Sequence, residues 1–325
     1  MNKCSISNNM NSYQENTAQV LYEAANLYYD HQFSQKQIAE RLGVSRPGVS
    51  RLLRKAREQG IVKIEIINPG RQGTTLELQL KERFELKSAI VVPNNDEDDR
   101  TIKSRLAIAA VKFLDQILSD GTILGVSWGT TLQAVSLAMS RKKYRNMSVV
   151  QLNGGISRAE YDTHAAEIVQ RIGQRLSAIP YLLPLPAVVD RAELKRIIAS
   201  DKNISRTLNL AEEATIAIFT IGSFSHQSAL VKADYFEPEA VDNLLQEGAV
   251  GDICSRIISQ NGDIASSELD SRTIGISLKS LQGKSWSIAI AGGLDKHPAI
   301  KAALSGKYFN VLITDDLVAK ELLEN

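Results

Sequence analysis

Residues 33–60 read FSQKQIAERLGVSRPGVSRLLRKAREQG, and this stretch decides the architecture of the N-terminal part of the chain. Ile38 and Leu42 recur at helical spacing, which predicts a short helix over 34–42 with Ser34 as its N-cap. Gly43 supplies the positive φ that a tight turn demands, and Ala39 is small where a second helix crosses. Ser45 caps that second helix, predicted over 46–59. Val44, Val49, Leu52 and Leu53 furnish its apolar side. Pro47 falls in its first turn, where a missing N–H breaks no ladder bond, and Gly60 ends it. Two short helices joined by a glycine turn make a helix-turn-helix. Upstream, Val20, Leu21, Ala24 and Leu27 mark an amphipathic helix over 17–29. Downstream, the β-branched run 61–67 predicts a strand, placed as a wing beside the second helix.

The polar side of this unit carries one sign of charge. Residues 34–57 hold seven basic side chains, Lys36, Arg41, Arg46, Arg51, Arg54, Lys55 and Arg57, against the single acid Glu40, in a chain of net charge +1. A local excess of this kind displaces counterions condensed on DNA. Base edges are met near the start of the second helix of such a motif, which selects Ser45, Arg46, Gly48, Ser50 and Arg51. Arginine suits guanine O6 and N7. Arg54, Lys55 and Arg57 are expected on phosphates, and Ser34 and Gln35 complete the candidate DNA contacts. The alternative is an ordinary helical hairpin with a solvated basic face; the glycine turn, the Ser-Arg-Pro start and the one-sided charge argue against it.

The whole chain, 325 residues and 43 % hydrophobic, is long enough for two or three domains with a sizeable core. Its two cysteines, Cys4 and Cys254, lie far apart and suggest neither a disulfide framework nor a zinc site; no metal and no cofactor are expected. No apolar run approaches the ~18 residues of a membrane helix. Residues 1–16 are rich in Asn and Ser, lack the apolar stretch of a signal peptide, and are expected as a disordered tail. The expectation is a cytoplasmic protein without a membrane partner. Residues 68–73, NPGRQG, have the composition of a linker, and 76–84 read as a helix that joins domains or pairs with its copy in a second subunit. The expected division is therefore a winged helix-turn-helix over 17–68, a linker with an oligomerisation helix over 69–87, and a larger domain over 88–325.

From Ser88 the pattern changes. Short β-rich runs at 89–92, 123–127, 148–152, 214–221, 287–291 and 311–314 alternate with helical stretches at 101–118, 130–139 and 165–177. That alternation predicts an α/β domain with a largely parallel, Rossmann-like sheet. Ligands of open α/β sheets sit at the carboxyl ends of the strands. The first such end is GVSWGTT (125–131), where a glycine turn opens a helix whose N–H groups favour an anion and Thr130 and Thr131 add hydroxyls. No lysine follows the glycine, so it is not a Walker motif. A second strand ends in Asn153-Gly154-Gly155, and Thr163 and His164 begin the next helix. Gly251-Asp252 and the segment AGGLDK, ending in Lys296, are further candidates: Asp252 for sugar hydroxyls, Lys296 for a phosphate. Each also has a plain structural reading, with Asp252 as a cap, Lys296 as surface charge and His164 as a helix-start residue.

The segments SQKQIAERLGVSRPGVSRLL, GVSWGTT, VVQLNGG, AVGDICSR, RTIGI, AGG followed by Lys296, and NVLITD together resemble the SorC/DeoR family of bacterial sugar-responsive regulators over residues 17–325. Within it, the deoxyribonucleoside-operon regulators are the type most resembled. The resemblance implies a winged helix-turn-helix joined to an effector domain similar to phosphosugar isomerases. It also implies a homo-oligomer, dimer or tetramer, whose affinity for operator DNA is set by a phosphorylated sugar such as deoxyribose 5-phosphate. Carried over by position, it puts Gly129, Thr130 and Thr131 on the phosphate, Asn153 and Gly154 at the strand-end turn, and Asp252 and Lys296 around the remainder. It further implies that the position of Asn153 tunes effector choice. An asparagine cannot form a Schiff base with an aldehyde, so the expected effector is bound reversibly and without a covalent bond.

Two other readings stay open. In one, the C-terminal domain is an isomerase or deaminase fused to a DNA-binding unit; Asp252 and His164 are its convenient acid–base candidates. In the other, the protein binds DNA constitutively and its second domain is degenerate.

Overall fold

The computed structural model describes residues 19–29, 31, 33–58, 60–62, 74–94, 98–157 and 162–324. The chain divides into two compact units, Met1–Arg71 and Gln72–Asn325.

In the first unit, helix α1 spans 19–29, α2 Gln35–Leu42 and α3 Arg46–Glu58. Ser34 builds a capping box: its Oγ accepts from the Gln37 N–H at 3.4 Å, and its own N–H donates to Gln37 Oε1 at 2.9 Å. Gly43 ends α2 at φ 64°. Ser45 caps α3 by accepting from the Gly48 N–H at 3.2 Å. Leu21, Ala24, Leu27, Ile38, Val49, Leu53 and Ala56 are buried between the helices. Val44, expected on the apolar side, is exposed, because the turn carries it outward before α3 begins. Ile61 and Val62 pack near Leu21 and Ala56, with the Val62 N–H on the Ala56 carbonyl at 3.1 Å. Residues 63–67, the greater part of the expected wing strand, lie outside the described residues, as do the tail 1–16 and Cys4.

The second unit is built on a seven-stranded sheet of order β1-β10-β9-β5-β2-β3-β4, every neighbouring pair parallel. Its strands are β1 Ser88–Val92, β2 Ile123–Val126, β3 Ser148–Gln151, β4 Ile179–Tyr181, β5 Ile216–Phe219, β9 Trp286–Ile290 and β10 Val311–Asp315. A three-stranded antiparallel sheet of β6 Ile221–Ser223, β7 Ala249–Ile253 and β8 Arg256–Ser259 stands beside it. The apolar run 214–221, expected as one strand, therefore serves two sheets. Thr220 separates them, and both halves are buried, so no polar alternation marks the break. Strands β4, β7 and β8 were not foreseen; Gly251 and Asp252 depress strand propensity within β7.

Helix α4, Thr75–Phe84, belongs to this second unit rather than to a linker. Leu80 is fully buried in a core shared with Leu86, Ala89 and Leu322, and Arg83 donates to the carbonyl of Leu323 in the C-terminal helix Asp316–Glu324. Helices α5 (Asp99–Ile117), α6 (Thr130–Ala138) and α7 (Ala165–Leu176) bury their apolar stripes in the core that holds Leu106, Leu132, Val135 and Ile168.

Two buried charges tie this scaffold together. Arg256, 4 % exposed, donates from Nε to the Ile276 carbonyl at 2.7 Å, from Nη2 to the Gly275 carbonyl at 3.0 Å, and from Nη1 to Asp270. The segment RTIGI is thus the dock for the arginine of AVGDICSR. Asp315 at the end of β10 accepts from the N–H groups of Gly293 (2.7 Å), Leu317 and Val318 (3.1 Å each), which joins AGG to NVLITD. Removing the guanidinium leaves the carbonyls of Gly275 and Ile276 without their donors and the half-buried Asp270 without its partner. Arg256→Ala is therefore expected to lower stability by about 3–5 kcal/mol, read as a fall in the midpoint of urea or thermal unfolding; an unchanged midpoint refutes this role.

Candidate functional site

The strand order fixes where a ligand belongs. From β2 the chain moves outward through β3 and β4; from β5 it moves the other way to β9 and β10. The carboxyl ends of β2 and β5 are therefore the topological switch point. A cavity of about 430 Å³ opens there, lined by Ser127, Gly129, Thr130 and Thr131 after β2, Asn153 after β3, Thr220 after β5, and Gly222, Asp252 and Ser255 from the antiparallel sheet, with Lys103, Lys232 and Lys296 bringing positive charge.

Gly129 stands at φ 126° as the N-cap of α6, and a Cβ there would lie 3.2 Å from Thr220 Cγ2. No side chain caps this helix, so its first N–H groups remain available to an anion at the positive end of the dipole. Thr130 is exposed and Thr131 is 2 % exposed. Asn153, 1 % exposed, is a bracket: Ser127 Oγ donates to its Oδ1 at 2.9 Å, and its Nδ2 donates to Ser255 Oγ at 2.8 Å. Gly275, at φ 137°, pairs with it from the RTIGI segment, where a Cβ would come within 2.6 Å of Asn153 Cα.

Asp252 accepts the Ser255 N–H at 3.2 Å through Oδ2, while Oδ1 lies over Gly222, only 2.2 Å from where a Cβ would stand. Desolvation pushes its carboxyl up to about 6, against the pull of the Ser255 N–H and of Lys296. Burial holds the Lys296 ammonium below its ordinary range, and the charge of Lys103 adds to this. Burial also pushes the Cys254 thiol up to about 12. Such a group stays protonated and is no nucleophile at neutral pH. The cavity thus offers helix N–H groups, three ammonium groups and the carboxylates of Asp99, Asp252 and Asp295, a mixture that can hold an anion at one point and hydroxyls at another.

Of the candidate effector residues, Gly129, Thr130, Thr131, Asn153, Asp252 and Lys296 meet in this cavity; Gly154 and His164 do not line it. The Gly154 carbonyl accepts from Trp128 Nε1 at 2.8 Å and its N–H donates to Ile274, so it serves the wall from behind. His164 opens α7 at φ 56° and sits 3.2 Å from both Glu167 Oε2 and Asp162 Oδ2, on a different cavity of about 470 Å³. Sequence reasoning missed Lys103, Lys232, Gln227 and the hydroxyls of Ser127, Thr220 and Ser255. Ser127 and Ser255 carried a signal, as parts of GVSWGTT and AVGDICSR.

On the other unit, Arg46, Ser50, Arg51, Arg54 and Lys55 all project from α3 as exposed residues. Ser34 and Ser45 are also exposed, with their hydroxyls engaged as helix caps; Gln35 and Gly48 are half-buried. Arg41 lies over the Phe33 ring at 5.8 Å from its centre.

A sugar-binding domain family model matches residues 70–324, and a MarR family model matches 21–72. The deoxyribonucleoside regulator of Bacillus subtilis (strain 168) is 41 % identical over 307 residues, which cover 94 % of this chain and 98 % of that protein. The sorbitol operon regulator of Klebsiella pneumoniae is 31 % identical, again over 94 % and 98 %. The crystal structure of that full-length regulator, SorC, superposes with a TM-score of 0.71 at 30 % identity, covering 94 % of this chain and 99 % of that one. The chain therefore belongs to the SorC family of DNA-binding transcriptional regulators, a helix-turn-helix unit followed by a parallel-sheet sugar-binding domain.

Proposed function

We propose that this regulator acts as a repressor of a sugar or deoxyribonucleoside catabolic operon, controlled by a phosphorylated sugar held reversibly in the switch-point cavity. The observation that carries this reading is the uncapped start of α6 at Gly129, in one cavity with Lys296 and Asp252. The phosphate rests on the N–H groups of Gly129–Thr131 and on Lys296, and Asp252 accepts from sugar hydroxyls. Deoxyribose 5-phosphate is the first effector to test, because the Bacillus subtilis relative is a deoxyribonucleoside regulator. The binding is non-covalent: Asn153 has no amine, and its amide is engaged by Ser127 and Ser255. The protein works in the cytoplasm as a dimer or tetramer, with the helix-turn-helix units on the two halves of its operator. It is not an enzyme on this reading, because the two acid–base candidates, Asp252 and His164, line different cavities.

The test is thermal unfolding with deoxyribose 5-phosphate, deoxyribose 1-phosphate, ribose 5-phosphate and hexose phosphates. A ligand of the folded state raises the midpoint in a concentration-dependent way. The effector is expected to do so for the wild type but not for the Thr130→Ala, Lys296→Ala double variant, which keeps its DNA affinity; borohydride added with the effector leaves the protein mass unchanged. A normal shift in the double variant removes the phosphate assignment, and a trapped adduct removes the non-covalent one.

Arg51→Ala is expected to lower the preference for operator over random DNA by about 1–3 kcal/mol, if a base contact is lost. Equal discrimination in a binding competition refutes Arg51 as a base reader.

Asp252 also sets a pH dependence. Its carboxyl titrates near 6 in the folded protein and near 3.8 when unfolded. Folding therefore costs stability when the group is ionised; that cost grows as pH rises from about 4 to 6 and is constant above. Without effector, Asp252→Asn is expected to unfold at a higher temperature than the wild type above pH 6, the gap closing as pH falls below 4. A gap independent of pH contradicts this.

A further inference from the structure

At the amino ends of the strands, opposite the cavity, the loop between α6 and β3 and the last turn of α7 enclose a shallow groove of about 620 Å³. Five cations line it: Arg141, Lys142, Lys143, Arg171 and Arg175. The groove is held in shape by backbone bonds, from the Lys142 N–H to the Arg175 carbonyl at 2.8 Å and from the Tyr144 N–H to the Leu176 carbonyl at 3.2 Å. Two of the cations have structural partners. Lys142 pairs with Asp115 at 2.8 Å, and Arg171 pairs with Glu167. The side chains of Arg141, Lys143 and Arg175 meet no carboxylate among the described residues. The negative end of the α7 dipole accounts for a cation at Arg175, but not for Arg141 and Lys143 on a separate loop.

We propose that this groove is a second, sequence-independent contact for the phosphate backbone of duplex DNA, apart from the helix-turn-helix. Arginine guanidinium groups suit phosphate oxygens by fork geometry, and a protein that binds DNA is exposed to a dense array of phosphates. The groove presents cations and no exposed aromatic ring: Tyr144 is half-buried against the apolar core. Base stacking is thereby disfavoured, and backbone contact favoured, in this groove.

The test compares the full chain with its Arg141→Gln, Lys143→Gln, Arg175→Gln variant on a long random-sequence duplex over a range of KCl concentrations. The helix-turn-helix contributes equally to both proteins, so the difference reports the groove. The slope of log K against log salt is expected to become shallower by about 2 to 3, at about 0.9 per lost phosphate contact. Where the triple variant unfolds at a lower temperature than the wild type, the Arg141→Gln, Lys143→Gln pair, both exposed on the loop, is used in its place with an expected change of about 1 to 2. An unchanged slope in a stably folded variant overturns the proposal. An unchanged slope with an altered sedimentation coefficient also overturns it and assigns the groove to an acidic face of a second copy. Neither outcome depends on the identity of the sugar effector.

Discussion

The site depends on a single buried amide. Asn153 stands where the carboxyl ends of β2 and β3 approach the turn between β7 and β8, and its two ends hold Ser127 on one side and Ser255 on the other. Without it the nearly buried hydroxyls of Ser127 and Ser255 would lose the amide that links the two sheets, at about 1–3 kcal/mol for each one left without a partner. The neighbouring geometry converges on the same point. Gly275 must be a glycine because its Cβ would strike Asn153, and Arg256 holds the carbonyls of Gly275 and Ile276 so that this segment can lie against the strand end. The arginine, the glycine and the asparagine form a chain of constraints in which only the last borders the cavity.

The helix starts show how one physical device serves opposite ends. Ser34, Ser45, Thr74 and Asp98 each satisfy an N–H of the helix they precede, and those starts are closed. Gly129 offers nothing to the N–H groups of α6, and this helix begins at the switch point of the sheet. In most helices an uncapped start is a deficit that water relieves. At Gly129, with Lys296 and Lys103 lining the same cavity, it is the feature on which the proposed phosphate contact rests.

Those features that depend on local chemistry were legible in the sequence. The Ser34 cap, the Gly43 turn, the burial of Ile38, Val49 and Leu53, and the loop at Gly129 follow from residue type and spacing. Features that depend on long-range convergence were not. Lys103 pairs with Asp99 four residues earlier, and in sequence that is an ordinary solvated helix pair. Only the fold brings it beside Lys296. The β7–β8 hairpin was hidden for another reason. Its turn residues, Cys254 and Ser255, adopt φ of 49° and 68°, a conformation that Asn-Gly would normally announce. Asn153 illustrates the limit most directly: its place at the strand end was readable, but its role as a bracket became visible only with both serines in position.

The charges that line the cavity are held under an electrostatic constraint. Burial weakens the ionised form of Asp252 and of Lys296 together, against the pull of the Ser255 N–H on the first and of Asp295, Asp99 and Asp252 on the second. A ligand that brings an anion to the lysine and hydroxyl donors to the carboxylate relieves both penalties at once. That relief is available only while the walls from the parallel sheet (Gly129, Thr130) and from the antiparallel sheet (Gly222, Asp252) face one another. On the proposed function, binding energy goes partly into holding the two sheets in that arrangement, since a ligand shifts a conformational equilibrium only through a difference in affinity between states. On that reading, the burial of these two opposite charges on facing walls is what gives a phosphorylated sugar its leverage.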